Sequence, residues 1–544
     1  MDLEIPIGKR SKLYRAFEML PAIISYGAII LLVVLSIFNP LLAAAYLLTI
    51  IITTLVKAVG IAYHTTLGRA NLDKAQKINW RARLDELEDP KASLDSPGLS
   101  QNDFGYKNHI NNLSDIINNT NAYPKPSELY NAVIIATYNE SYNVLHPTIE
   151  SLKSTTYDKD HMIVVIAYEE RGGEKTEANV KRLKKEYSGV FKDFILVKHP
   201  PNLPNEVIGK GGNITFAGRH LKTYLDERKI DYDKVIVTTL DSDNRPHPTY
   251  FDYLTYEYIV HPDRKNLSYQ PICLFLNNIW DVPAPMRVVA TGNSFWNIIS
   301  AMRPHTLRNF ASHSQPMDAL VGMDFWSTRT IVEDGHQYWR SYFYFKGKYG
   351  VVPIYVPIYQ DAVLSSTYVK TLKAQFIQLR RWAYGASDVP YVATRIFSRN
   401  RQVPFGPGLA RLVRLTDSHI TLASVAILIA IGGWIPLFVN PEAAHSIAAH
   451  QLPEVVSRIQ QFALIGLFIT IFFSFKILPP RPERYKRHRN IFMVLQWLLM
   501  PITAVVYSSL SSFTSQTALF LGKYFDKFDV TDKATINDKK PTKK

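Results

Sequence analysis

Two apolar stretches stand back to back near the N-terminus, and they decide what kind of molecule this chain can be. Residues 19–38 carry no charge and are long enough to cross a hydrocarbon core of roughly 30 Å as a helix. After Asn39-Pro40 a second apolar run follows at once, over 41–62, interrupted by Lys57 near its end, where the side chain can snorkel. A cleaved signal peptide has no reason to be followed by another span, so residues 1–68 read as a transmembrane hairpin. Lys9, Arg10, Lys12 and Arg15 precede it, which keeps the N-terminus on the cytoplasmic side and returns the chain there. Three more apolar segments, 417–439, 461–478 and 491–510, fall in a C-terminal membrane region, 416–525. The weakly apolar stretch 511–525 is expected to re-enter, since an odd number of spans would leave a basic tail outside. The expected total is five to six spans.

The formal net charge of +15 could point to nucleic acid, but the basic residues form no stripe interleaved with stacking aromatics. They flank the apolar runs instead: Arg481, Arg484, Lys486, Arg487 and Arg489 between two of them, and Lys533, Lys539 and Lys540 in the basic tail 526–544. Contact with membrane lipids explains this charge, and nucleic acid is not an expected partner. Cys273 is the only cysteine, so neither a disulfide framework nor a cysteine zinc site is available. Its neighbours Ile272, Leu274 and Phe275 place it in a core rather than at a nucleophile's post.

Residues 69–129 are a polar connector with loops and short helices; its sequons at Asn112 and Asn118 stay unused in a cytoplasmic location. From 130 to 370 short apolar strands alternate with helices: 132–136, 162–167 and 234–240 are the clearest. This pattern specifies an α/β domain with a mostly parallel sheet covered by helices on both faces. Ligands of such sheets bind beyond the carboxyl ends of the strands. An amphipathic region, 371–415, containing Arg380, Arg381, Tyr384, Tyr391 and Arg395, is expected along the membrane surface.

The polar motifs fall at those strand ends. Thr137-Tyr138-Asn139-Glu140 follows the first strand and could hold a ribose or a base, although such residues also cap turns. Tyr168-Glu169-Glu170 ends the second, with a solvated turn as the equal alternative. Leu240-Asp241-Ser242-Asp243 is sharper, because two carboxylates one residue apart can face a single hard cation that neutralises a diphosphate. Glu333-Asp334 offers a carboxylate that an apolar pocket can tune into a general base; a helix N-terminus would also favour acidic residues there. In Gln378-Leu379-Arg380-Arg381-Trp382, helical spacing aligns Gln378 with Arg381 and Trp382. An Arg can pair with pyrophosphate and an indole can stack on a sugar, or both can sit at a lipid interface. His313 and Trp296 are candidates for the lining of an acceptor channel, with core packing the favoured expectation for both, and Asp361, after the strand-like 351–359, is either another site residue or a simple turn.

Taken in order, these motifs, flanked by transmembrane segments, resemble the family 2 membrane glycosyltransferases, the group of the cellulose, hyaluronan and chitin synthases. Phe528-Asp529-Val530-Thr531-Asp532-Lys533 is similar to an ending seen in several of them. The resemblance implies a GT-A catalytic domain at 130–370 and inverting transfer from a nucleotide sugar, mostly UDP-linked, with Mg²⁺ or Mn²⁺. It assigns Asp334 as the base, Asp243 and Asp241 to the metal, and Asp241, Gln378 and Arg381 to the donor. Tyr138, Glu140 and Glu170 match donor-holding positions, Lys210 is a candidate phosphate contact, and Trp382 would stack on the acceptor.

The leading expectation is thus extension of a polysaccharide at the cytoplasmic face of the plasma membrane by a multi-pass protein, with translocation. The rivals are transfer of one sugar to a lipid-linked acceptor and a non-catalytic membrane scaffold or transporter. The short segment after the last apolar run holds no regulatory domain and leaves room for an accessory subunit.

Overall fold

The computed structural model describes residues 2–95, 101–441 and 446–525, without the side chains at 448–449, 460 and 462–470. The expected basic tail and its 528–533 motif lie outside the described residues.

The N-terminal hairpin forms from local signals. Ser11 caps the helix Lys12–Phe38 by accepting the N–H of Tyr14 at 3.2 Å. Asn39 breaks it and caps the next helix, Pro40–Ala75, accepting from the N–H of Leu42 at 3.2 Å, with Pro40 in the first turn. At 36 residues this second helix is about 54 Å long, more than a bilayer core needs, so the hairpin does not end at residue 68. Its last turns pack on the helix Ala284–Ala301. A Cβ at Gly68 would lie 2.5 Å from Cγ2 of Ile298, so a glycine is what lets the two backbones approach. Lys57 does not act alone: its Nζ lies 3.6 Å from a carboxylate oxygen of Asp417 on the helix Phe405–Ile431.

Four helical stretches among the described residues are long and apolar enough to cross a membrane: Lys12–Phe38, Pro40–Ala75, Phe405–Val439 and Arg489–Phe520. A further helix, Ile447–Ile477, carries most of the expected segment 461–478. The expected split between 491–510 and a re-entrant 511–525 is corrected, since the two share one helical path as far as Phe520. Ser511, Ser512 and Gln516 are buried in it, so polar residues that lower its hydropathy face protein. Arg15 closes the two ends of the chain together, donating to the carbonyls of Leu519 and Phe520 at 2.9 Å.

Between the N-terminal and C-terminal apolar helices of the chain lies an eight-stranded sheet. Its strands are β1 (Tyr130–Thr137), β2 (Met162–Glu169), β3 (Asp193–His199), β4 (Val235–Asp241), β5 (Arg245–Pro246), β6 (Leu267–Leu274), β7 (Ser314–Pro316) and β8 (Gly350–Tyr359). The spatial order is β3-β2-β1-β4-β7-β6-β8-β5. β1 to β4 are parallel, as are β6 and β8, but β7 joins the two groups antiparallel to both and β5 runs antiparallel to β8. The sheet is therefore mixed but mostly parallel, as expected: β1 to β4, β6 and β8 run one way, and the short strands β5 and β7 oppose them. Alternate residues of β1 enter opposite cores, Val133 and Ile135 on one face, Ala132 and Ile134 on the other. Register pairs Ala136 with Asp241 and Thr137 with Tyr168, so the carboxyl ends of β1, β2 and β4 finish level. Described parts of the connector pack on this body: Trp80 stacks on Tyr253 at 3.6 Å between ring centroids, and the helix Tyr106–Asn118 buries Leu113 and Ile116.

Candidate active site

A cavity of about 1160 Å³ opens at those level strand ends and is also lined by residues of the apolar helices Pro40–Ala75 and Phe405–Ile431. It brings together Tyr138, Glu140, Lys210, Asp241, Asp243, Asp334, Gln378, Arg381 and Trp382. Glu170 is the exception: it is exposed in a turn outside the lining, and Glu169, the last residue of β2, takes the cavity position.

On the β1 side, the Glu140 carboxylate accepts from the Thr137 hydroxyl and the Tyr138 N–H, both at 2.7 Å, and so shapes its own turn. Glu169 is buried and accepts from Arg171 at 2.7 Å, with His199 Nδ1 at 3.1 Å. His199 Nε2 reaches Glu206 at 3.1 Å. Burial opposes the imidazolium, but its hydrogen bonds to the two carboxylates outweigh that and push His199 up to about 9.

At the end of β4 the central group is a lysine. Lys210 opens the helix Lys210–Arg228, and its Nζ lies 2.9 Å from Asp241 Oδ1 and 3.1 Å from Asp334 Oδ2. Burial would strip its proton; the charges of Asp241 and Asp334 prevail and hold it protonated. The glycines after it are required by contact. A Cβ at Gly211 would sit 2.4 Å from the Ser327 carbonyl oxygen, and one at Gly212 2.8 Å from a Glu206 oxygen. Asn213 then donates to the Ala167 carbonyl of β2 at 2.9 Å, locking the helix start to the sheet.

Glu333 and Asp334 begin the helix Glu333–Tyr344 and part company there. Glu333 is buried, its Oε2 has no hydrogen-bond partner, and burial followed by the neighbouring Asp334 charge raises its pKa well above the carboxylate range. Asp334 keeps 19% of its side chain accessible. His313, buried as expected, lies behind it at 3.8 Å. Its Nε2 accepts from the Trp326 indole at 3.2 Å while Nδ1 donates to the Phe310 carbonyl at 2.8 Å, the neutral tautomer that its lowered pKa, caused by burial, also favours. The Cys273 thiol is buried and pushed up to about 12, so it stays protonated.

The helix Tyr368–Ala383 supplies the opposite wall. Thr367 caps it, accepting from Lys370 N–H at 3.3 Å, and the Ser515 hydroxyl donates to the Arg380 carbonyl at 2.5 Å, fastening it to the C-terminal helix. Trp382 faces Phe275 at 6.1 Å. Trp296 takes the less favoured of its two expected places: it is 47% exposed and lines the cavity. Asp361, left open between a site residue and a turn, also lines it and donates its N–H to Asp243 Oδ2 at 3.2 Å. Sequence reading missed Arg171 and the partition of Glu333 from Asp334; an acid next to a buried strand end was the available signal.

Asp241 and Asp243 are hard oxygen donors on one cavity edge. Among the described residues no group of three or more His, Cys, Asp or Glu could hold a metal ion. Two carboxylates nonetheless fit a Mg²⁺-like ion, which completes its sphere with substrate phosphates and water.

No protein-family model and no curated protein matches the chain. Among solved structures it is similar to the mannosyltransferase PcManGT from Pyrobaculum calidifontis, in complex with GDP-Man and Mn²⁺, at 14% identity and a TM-score of 0.40, over 82% of this chain and 98% of that one. It is also similar to S. aureus TarS 1–349 in complex with UDP-GlcNAc, at 13% identity and a TM-score of 0.34, over 73% and 93%. A third likeness is GalNAc-T7 with UDP, GalNAc and Mn²⁺, at 10% identity and a TM-score of 0.30, over 54% and 55%. Likeness at this level leaves the chemistry to the side chains of the cavity itself.

Proposed function

We propose that the chain is an inverting glycosyltransferase that moves a sugar from a nucleotide-sugar donor to an acceptor hydroxyl at the cytoplasmic face of the plasma membrane. The observation that carries the reading is the shared Lys210, which ties Asp241 at the end of β4 to Asp334 across one cavity. In this reading the nucleoside lies over Tyr138, Glu140 and Glu169. Lys210, Gln378 and Arg381 meet the diphosphate. Asp334 accepts the proton of the acceptor hydroxyl as that oxygen bonds to the anomeric carbon; the bond from that carbon to the diphosphate breaks, and the nucleoside diphosphate leaves. A Mg²⁺ or Mn²⁺ ion held by Asp243 and Asp241 would supply positive charge to the leaving diphosphate. Trp382 and Trp296 offer faces for sugar rings.

The acceptor we infer first is a growing polysaccharide, because Trp296, Trp382, Trp497 and Tyr507 line the same cavity and offer several faces for sugar rings. Single addition to a lipid acceptor is the second reading, favoured by Ile61, Leu422 and Tyr507 in the same lining. The test is nucleotide release from a panel of UDP- and GDP-sugars by the purified protein in lipid, with Mn²⁺ or Mg²⁺, beside Asp334→Asn. Metal-dependent release of one nucleotide, lost in the variant, is expected; no release from any donor by folded protein sinks the reading.

A further inference from the structure

The segment ahead of the helix Lys12–Phe38 lies against the helix Glu333–Tyr344, which carries Asp334. Residues 2–5 are fastened one after another. Arg395 donates to the Asp2 carbonyl at 2.7 Å, Tyr391 to the Leu3 carbonyl at 2.9 Å, and Arg329 to the Ile5 carbonyl at 3.2 Å. Ile5 is buried in the core that holds Trp339 and Tyr391. Between these anchors the Glu4 carboxylate takes two partners: Oε1 lies 3.0 Å from Nη2 of Arg340, and Oε2 accepts from the Ser327 hydroxyl at 2.6 Å. Arg340 is 2% exposed and also donates to the carbonyls of Phe325 and Met323, at 2.8 and 2.7 Å. Glu4 is its one ion-pair partner among the described residues. Burial lowers the basicity of Arg340, and the Glu4 charge leads those that oppose this.

We infer that Glu4 is a positioning residue that fixes Asp334 and Lys210 against each other; the inference rests on the transferase reading above. The two partners of Glu4 belong to the two segments that present these groups. Arg340 stands on the helix of Asp334, about 9 Å further along it. Ser327 seats the other segment: its carbonyl oxygen would lie 2.4 Å from a Cβ on Gly211, the residue after Lys210. Thr328 adds to that seat, its carbonyl accepting the N–H of Val207 at 2.8 Å. Contacts therefore run in a closed ring, from Asp334 along its helix to Arg340, through Glu4 to Ser327, and on to Lys210. The ring closes from Lys210 back to Asp334 across 3.1 Å. A charged carboxylate binds two donors at once with fixed geometry, which suits Glu4 to join the halves. Opening the ring there leaves the sheet untouched and frees the helix of the base to move against the ammonium. A misplacement of about 1 Å between reacting groups can cost on the order of 10²-fold in rate.

The experiment compares the natural chain with Glu4→Gln, both full length in lipid. The substitution keeps the size of the side chain and an acceptor for Ser327, and it removes the charge facing Arg340. With each UDP- or GDP-sugar that the natural chain turns over, kcat per folded protein should fall by about tenfold while donor KM stays within about twofold. A purely structural role would lower the amount of folded protein and leave that kcat alone. Without donor, the amides of residues 333–340 should exchange with deuterium at least about fivefold faster, and those of β1 and β2 at an unchanged rate. Adding Ser327→Ala to Glu4→Gln should cost little more in kcat, since both act through the same carboxylate. Unchanged kcat overturns the inference whatever the exchange shows, and so does a rise in KM alone. If Glu4→Gln does not fold, Ser327→Ala, which leaves the Glu4–Arg340 pair in place, carries both readouts under the same criteria. A natural chain that releases no nucleotide refutes the transferase reading. The exchange readout then decides by itself whether Glu4 holds this helix, and unchanged exchange refutes it.

Discussion

Lys210 Nζ lies 3.1 Å from Asp334 Oδ2, so the carboxylate assigned as the base is held by an ammonium that also reaches Asp241 at 2.9 Å. A base paired this way keeps its proton-accepting oxygen oriented, and the same cation is in place to meet a diphosphate.

Replacing that ammonium leaves a cluster of buried acids unbalanced. Lys210→Met should reduce turnover on the order of 10²–10³-fold. It should also destabilise the protein by about 3–5 kcal/mol, because the lysine side chain is only 9% exposed and its partners stay behind. Steady-state rates together with thermal unfolding in detergent check both parts; normal stability with normal rate would remove Lys210 from the site.

The adjacent acids should separate cleanly. Asp334→Asn should lower turnover by about 10²–10⁴-fold with donor affinity retained, the mark of a lost general base. Glu333→Gln should keep measurable turnover, since burial already favours the neutral carboxyl that a glutamine mimics. If Glu333→Gln is the dead variant and Asp334→Asn the active one, the base has been assigned to the wrong neighbour.

His199 gives the fold a pH signature. Its folded value is raised from 6.5 to about 9 by Glu169 and Glu206 against the opposing effect of burial. A raised imidazolium stabilises fully below pH 6.5, and that contribution is lost as pH rises through 9. The stability difference between the natural chain and His199→Gln should therefore shrink from pH 6.5 to 9. Thermal unfolding of both proteins across that range is the check, and a difference that grows with pH would reverse the assignment.

Much of this site was legible because buried parallel strands write themselves as unbroken apolar runs. β1, β2 and β4 are such runs, and Asp241 and Asp243 could be placed from the last of them. β7 was not legible: it is three residues, Ser314–Pro316, and Ser314 earns its place by a 2.7 Å hydroxyl contact to Thr238 rather than by any pattern. The choice between Glu169 and Glu170 failed for a related reason. Alternation sends neighbours to opposite sides, so an uncertainty of one residue in where β2 ends selects the wrong acid. Trp296 stayed open between core and cavity wall because sequence cannot distinguish the two.

The metal assignment makes the most specific demand on one oxygen. Asp243 is buried, and its Oδ2 accepts the N–H of Asp361 at 3.2 Å, so its carboxylate is oriented by backbone rather than left to choose a rotamer. Its own carbonyl accepts from Asn277 at 3.0 Å, which fixes the chain on the other side. Asp243→Asn keeps this shape and removes one negative charge from the proposed ion site. The Mn²⁺ concentration for half-maximal nucleotide release should rise by about tenfold or more, with unfolding temperature little changed. Mn²⁺ binding followed by electron paramagnetic resonance, without donor and then with UDP or GDP, separates the two contributions: two carboxylates alone should hold the ion weakly, and the diphosphate should tighten it. An unchanged Mn²⁺ requirement in Asp243→Asn would mean that this carboxylate is structural, held by Asp361 for the turn and not for an ion.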